Sequence, residues 1–210
     1  MRDVATRERD WGKLAEIEAR QGYYEVLLGN SEQARRHAAA SLHFKKEQPV
    51  MVLALLGDVP KTRELVDKMS GDAASDGFIS RLWLPDVQAA IELRQGNPRR
   101  AVELLMPVTP YESGWVDHYI SAYLRGESYL AMRRGPEASA EFEKIIDHPG
   151  VVMNEPIGAL AHLGLARAHA MQGDTAKARA AYQDFLMLWK NADSDIPVLI
   201  SAKLEYAKLQ

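Results

Sequence analysis

Residues 157–190 read IGALAHLGLARAHAMQGDTAKARAAYQDFLMLWK. Gly173 divides this run into two stretches rich in Ala, Leu, Arg, Met and Lys, and Ala is the strongest helix former. A glycine at that point suits the left-handed residue that closes a helix. Asp174 after it suits the cap that opens the next one. The stretch therefore predicts a helix, a tight turn and a second helix. The same punctuation, Gly followed by a polar residue or Pro, returns at Gly29-Asn30, Gly57-Asp58, Gly96-Asn97 and Gly135-Pro136. The successive spacings from Gly29 to Gly173 are 28, 39, 39 and 38 residues. Recurrence over this length is the signature of stacked units, none of which can bury its own apolar face alone. Alternating runs of β-branched and aromatic residues are missing, so strands are not expected.

Five helix–turn–helix units follow, at about 15–46, 47–70, 81–106, 116–147 and 157–190, with a last helix over 196–209 opened by Asp195-Ile196-Pro197. The expected fold is all-α, a right-handed solenoid of five helical hairpins and a C-terminal capping helix. It is read as a single domain over 1–210, irregular over 15–80, regular over 81–192 and capped by 196–209. Ala34, Ala101, Ala138 and Ala178 fall where the second helix of a unit crosses the first. A small side chain there lets the axes approach to roughly 8–10 Å. Large residues four positions later, Leu105, Phe142 and Tyr182, plug the neighbouring unit. The second unit is the shortest, and Thr62 replaces the small Ala in it.

In the fifth unit the ordered set is Leu165, Ala166, His169, Gly173, Ala178 and Tyr182. The fourth offers Gly126, Tyr129, Ala138 and Phe142, with Arg125 at the Leu position and Arg133 at the usual turn-glycine position, two before Gly135. The third offers Ala89, Gly96, Ala101 and Leu105, with Glu92 replacing an aromatic; the first keeps Gly22, Gly29 and Ala34, with Ala38 at the second aromatic position. This pattern resembles the tetratricopeptide repeat. From about Leu84 to Gln210 the chain also resembles the C-terminal repeat region of large bacterial serine/threonine protein kinases. The glycine-rich phosphate loop, the HRD-type catalytic loop and the DFG motif are missing, so no kinase activity is assigned to these 210 residues. The resemblance implies a protein-interaction scaffold, the docking or sensor region of a bacterial signalling protein. Its partner would be a protein or peptide segment held in a concave groove lined by the first helix of each unit. Self-association and small-ligand sensing are the alternative readings. Carried over position by position, the groove residues are Arg20, Tyr23, Trp83, Asp86, Arg94, Tyr123, Glu127 and Arg167. The set lacks the Lys/Asn/Lys/Arg arrangement that resembles a carboxylate clamp, which argues against a cochaperone role.

Composition narrows the rest. The formal net charge is −3, so no basic excess draws the chain to nucleic acid or an anionic membrane. There is no cysteine, which excludes disulfides, thiolate metal sites and thiol catalysis. Residues 1–10, MRDVATRERD, lack the apolar core of a secretory signal. The most apolar run, PVMVLALL at 49–56, is under half the ~20 residues that span a bilayer, so membrane insertion is not expected. No phosphate-binding glycine loop, nucleophile elbow or H-E-x-x-H motif is present, and no catalytic residue, metal or cofactor is assigned. His162 and His169 share a helical face two turns apart, but no carboxylate near them in sequence completes a metal site. Glu16/Glu18 and Glu141/Glu143, two apart on helices, point to different faces and are read as solvated charge. Arg35-Arg36 with Lys45-Lys46 is interrupted by Glu32 and Glu47 and reads as a solvated face. Arg99-Arg100 and Arg133-Arg134 read as surface charge. Tyr111 and Trp115, in a loop longer than a repeat turn needs, are packing residues or exposed anchors.

Overall fold

A computed structural model describes residues 11–44, 49–73, 79–112 and 119–209. Lys45, Lys46, Glu47 and Trp115, singled out above, lie outside them. The fold is all-α, and no strand occurs among the described residues. The helices are α1 (Trp11–Leu28), α2 (Ser31–Phe44), α3 (Val50–Leu56), α4 (Val59–Ala73), α5 (Leu84–Arg94), α6 (Pro98–Leu105), α7 (Tyr119–Ala131), α8 (Gly135–Ile146), α9 (Pro149–Val152), α10 (Pro156–Met171), α11 (Thr175–Leu188) and α12 (Pro197–Ala207). A π-helical turn, Ile79–Trp83, runs into α5, and a 3-10 segment, Met106–Tyr111, follows α6. Two compact units divide the chain between Gln95 and Gly96, in the turn of the third predicted hairpin.

The turns explain the punctuation. Gly29, Gly57, Gly96 and Gly173 all take positive φ, between 79° and 89°. The amide that follows three of them donates to the carbonyl five residues back: Asn30 to Glu25 at 2.8 Å, Asp58 to Leu53 at 3.0 Å and Asp174 to His169 at 3.0 Å. Such a bond closes the last turn and satisfies a carbonyl the helix leaves open. Gly135 does not belong to this set, contrary to expectation. Arg133 is the left-handed residue there, with φ 57°, and the Arg134 amide reaches Tyr129 O at 2.8 Å. Gly135 instead serves packing. A Cβ on it would lie 2.6 Å from Gln172 Cγ and 3.0 Å from Ala168 O of α10. Arg133 thus occupies a site built for glycine. Arg133→Gly should relieve roughly 1–2 kcal/mol of left-handed strain against about 0.4–1 kcal/mol of added chain entropy. The expected net stabilisation is about 0.5–1 kcal/mol, read as a higher denaturant midpoint at constant slope.

In the first unit, α1 and α2 form a close pair. Ala34 is fully buried, and a Cβ on Gly22 would meet His37 Cβ, Ala34 O and Val52 Cγ1 at 3.2–3.3 Å. Two polar braces cross the pair: Ser41 Oγ donates to Ala15 O at 2.8 Å, and His37 Nδ1 donates to Glu18 Oε2 at 2.7 Å. The apolar run at 49–56 becomes α3, whose Val50, Val52, Leu53, Ala54 and Leu55 are buried. Thr62 is wholly buried where the pattern asks for Ala, and its hydroxyl is satisfied by Asp58 O at 2.7 Å. That bond is why a polar side chain is tolerated at this crossing.

The second unit packs α6 on α7, α7 on α8, α8 on α10, α10 on α11 and α11 on α12. Ala101, Ala138 and Ala178 are fully buried, as the crossing positions require. Phe142 is the centre of this packing. Its ring lies so near two helices that a Cβ on Gly126 of α7 would approach it to 2.7 Å, and one on Gly164 of α10 to 2.4 Å. The aromatic of one hairpin therefore wedges between its own first helix and that of the next.

Two carboxylates read as solvated are not. Glu18 is 2% exposed and braced by His37. Glu141 is 8% exposed and bound to Arg125, while Glu143 is exposed, so the two faces differ as expected but one is interior. Arg125 itself, at the slot where the repeat carries Leu, has no exposed surface. Its guanidinium binds both oxygens of Glu112, at 2.9 Å through Nη2 and more closely through Nη1, and Glu141 Oε2 at 2.7 Å. Lys144 adds a bond to the same Glu141 oxygen at 2.9 Å. Burial opposes the charge on Arg125, but these hydrogen bonds outweigh it and raise its pKa above the ordinary guanidinium value. The long loop after α6 is explained by this cluster. It buries Val108 and delivers Glu112 to Arg125.

Candidate docking surface

The eight residues carried over from the pattern divide between the two units. In the first, Arg20 and Tyr23 lie on α1, three apart on one face, with Arg20 exposed and Tyr23 half-buried. Trp83, half-buried, ends the π-helical turn. Arg94 is exposed at the end of α5, beside the Gly57 turn, where a Cβ would lie 3.8 Å from Arg94 Cβ. Asp86 departs from expectation. It is only 3% exposed, because it points inward on the same first turn of α5 that buries Val87, so it offers almost no surface to a ligand.

In the second unit the structure brings three of the eight together. Tyr123 and Glu127, four apart on α7, both lie near enough to Arg167 of α10 to act on its charge. All three are half-buried. Tyr123 also turns its ring edge to Phe142, with centroids 6.0 Å apart, so it is partly a packing residue. Arg167 is gripped by a residue the sequence reading did not single out. Glu205 of α12 accepts from its Nε at 2.8 Å and its Nη2 at 2.9 Å. Tyr182 of α11 donates its hydroxyl to the same carboxylate at 2.8 Å. The result is a strip across α7, α10 and α12 carrying two carboxylates, one guanidinium and the Tyr123 phenol, with the buried Tyr182 phenol of α11 behind it. The signal for Glu205 was an acidic residue on the last helix, level with an arginine one hairpin earlier; without the docking angle of α12 it could not be read.

The electrostatics follow from partial burial. Desolvation opposes the Arg167 charge, but the Glu205 hydrogen bonds, the Glu205 field and then Glu127 and Tyr123 raise its pKa overall. Burial pushes the Glu205 carboxyl up, yet the Arg167 pair and the Tyr182 hydroxyl win and hold it below its ordinary 4.5. Burial and the adjacent carboxylate raise the Tyr182 phenol. A carboxylate with a depressed pKa stabilises the fold fully above 4.5 and loses that contribution as pH falls through its folded value. The melting temperature of the native chain should therefore fall more steeply below pH 4.5 than that of Glu205→Gln, the two curves converging at low pH. Glu64, Glu137 and Asp174, also held low, are common to both proteins and cancel in the difference.

Among the described residues no group of three or more His, Asp or Glu side chains is placed to hold a metal ion. Nor is any helix among them long and apolar enough to cross a membrane. Compared with known families, residues 123–195 match the tetratricopeptide repeat. The match covers α8, α9, α10 and α11, most of α7, and the Phe142 wedge. No curated protein and no solved structure matches the chain.

Proposed function

We propose that this chain is a protein-interaction scaffold that docks a peptide or protein segment on the face formed by the first helices of its hairpins. Tetratricopeptide repeats generally mediate protein–protein contacts and are typically non-catalytic, and the matched residues include Tyr123, Glu127 and Arg167 of the strip, though not Glu205. The observation that supports the reading best is the meeting of Tyr123, Glu127 and Arg167 from two successive first helices, each with surface left open. Arg167 is oriented by Glu205 rather than left to swing, so the strip is preorganised, which lowers the ordering cost of binding. Two carboxylates against one guanidinium favour a segment that brings a basic side chain. In the longer reading, the chain is the docking or sensor region of a bacterial signalling protein. That step rests on the likeness of residues 84–210 to the repeat regions of bacterial serine/threonine kinases.

The test is selection of peptides from a random library on the full chain, followed by titration of the winners against variants. Glu127→Lys should weaken binding about tenfold or more and shift selection away from basic sequences. Arg133→Ala, on an exposed turn, should change affinity by less than about twofold. A melting curve for each variant separates lost binding from lost fold, a control that Tyr123→Ala needs because of its Phe142 contact. Equal loss from Arg133→Ala and Glu127→Lys would remove the strip as the docking surface.

A further inference from the structure

Helix α12 has two apolar faces, and only one is used among the described residues. Inward, Leu199 and Ala202 are buried, while Glu205 and Tyr206 bond to Tyr182 and Gln183 of α11. Outward, Ile200 is 44% and Leu204 61% exposed, and Pro197 and Ala207 continue the same stripe at helical spacing. A helix face left to water is ordinarily polar. This one presents an i, i+4 aliphatic pair instead.

The charges around that stripe are sorted by end. Asp193 and Asp195 precede the helix, and Lys203 and Lys208 lie in its second half or just after it; all four are exposed. A parallel partner of the same sequence would set like charges side by side. An antiparallel copy sets Asp195 of one chain level with Lys208 of the other, twice, around a two-fold axis near the middle of the Ile200–Leu204 pair. Antiparallel crossing also opposes the two helix dipoles. Such an interface is isologous, each residue meeting its own counterpart's surroundings, which is the commonest geometry of soluble dimers.

We propose that the outer face of α12 is a self-association surface on which a second copy of this chain packs antiparallel, Ile200 and Leu204 forming its centre and the Asp195–Lys208 pairs its rim. This surface is separate from the docking strip, because on the helix Glu205 sits about 100° from Leu204 and about 140° from Ile200. The two readings therefore stand or fall independently.

The experiment is sedimentation equilibrium on the full chain across roughly 1–100 µM, the range in which small interfaces associate. A monomer–dimer equilibrium is expected. Leu204→Glu should weaken it at least about tenfold while leaving the melting temperature nearly unchanged, since Leu204 is exposed in the monomer. Lys208→Asp should weaken it less, and the double variant Asp195→Lys with Lys208→Asp should restore it by rebuilding both pairs reversed. A chain that stays monomeric throughout overturns the proposal and leaves the stripe to a helix from another protein. A dimer indifferent to Leu204→Glu overturns it as well. A dimer that needs Leu204 but is not restored by the double swap excludes the antiparallel arrangement.

Discussion

Phe142→Ala should destabilise the second unit by about 3–5 kcal/mol, the range for removing a large aromatic from a closed core. The side chain is fully buried, and two glycines on different helices exist only in its shadow. Removing the ring leaves a cavity walled in part by glycine backbone on two helices, with the Tyr123 ring beside it, so collapse around it is limited and the cavity cost stays high. The complementary change makes the point from the other side. Gly164→Ala gains about 1 kcal/mol of helix propensity, yet its Cβ would sit 2.4 Å from the ring. The ring is pinned from α7 as well and has nowhere to retreat, so overpacking of about 1–3 kcal/mol should prevail and the variant should be net destabilised. Urea denaturation of both variants reads the result. A Gly164→Ala protein more stable than the native chain would show that Phe142 can move, and with it the hairpin-to-hairpin contact would lose its assigned centre.

That contact was legible before any coordinates, because its parts obey local rules. Gly at a helix end, Ala at a crossing and an aromatic four residues on each report a backbone requirement that sequence spacing carries directly. The same rules misread Gly135, since a glycine required by a neighbouring helix looks identical in sequence to one required by φ. Arg133 was the better indicator, standing where the period puts the turn. The charged interior was least legible. Glu18 and Glu141 are ordinary helix residues until a partner 19 or 16 positions away faces them, and that distance lies beyond any helical period. One signal was available: Arg125 at an apolar slot. A guanidinium that cannot reach water must find carboxylates, so its place in the pattern already implied acidic partners, though not which ones. The proposed docking strip was half legible for a related reason. Tyr123, Glu127 and Arg167 come from the resemblance to the repeat, carried over position by position, whereas Glu205 depends on how α12 seats against α11.

The Arg125 cluster gives the other large expected effect. Arg125→Met should cost about 3–5 kcal/mol, because it strands Glu112 and Glu141 as buried carboxylates without their counter-charge. The loss reflects the orphaned partners more than the worth of the pairs. Changing all three to aliphatic residues of similar volume removes every charge together, and such replacements are often neutral or stabilising by about 1–4 kcal/mol. The triple variant Arg125→Met, Glu112→Leu, Glu141→Leu should therefore recover most of what the single variant loses, measured by urea midpoints at matched slopes. A single variant costing under about 1 kcal/mol would mean the cluster is hydrated and not interior. A triple variant as weak as the single would mean the hydrogen bonds hold a geometry that apolar packing cannot reproduce. Through Glu112, the residue after the 3-10 segment, the cluster joins the chain that follows α6 to α7 and α8. Hydrogen exchange at residues 106–112 separates stability from specificity. If the ions only fill space, the triple variant protects those amides as well as the native chain does. If they set where the long loop lies against α7, exchange there rises even though the global midpoint is restored.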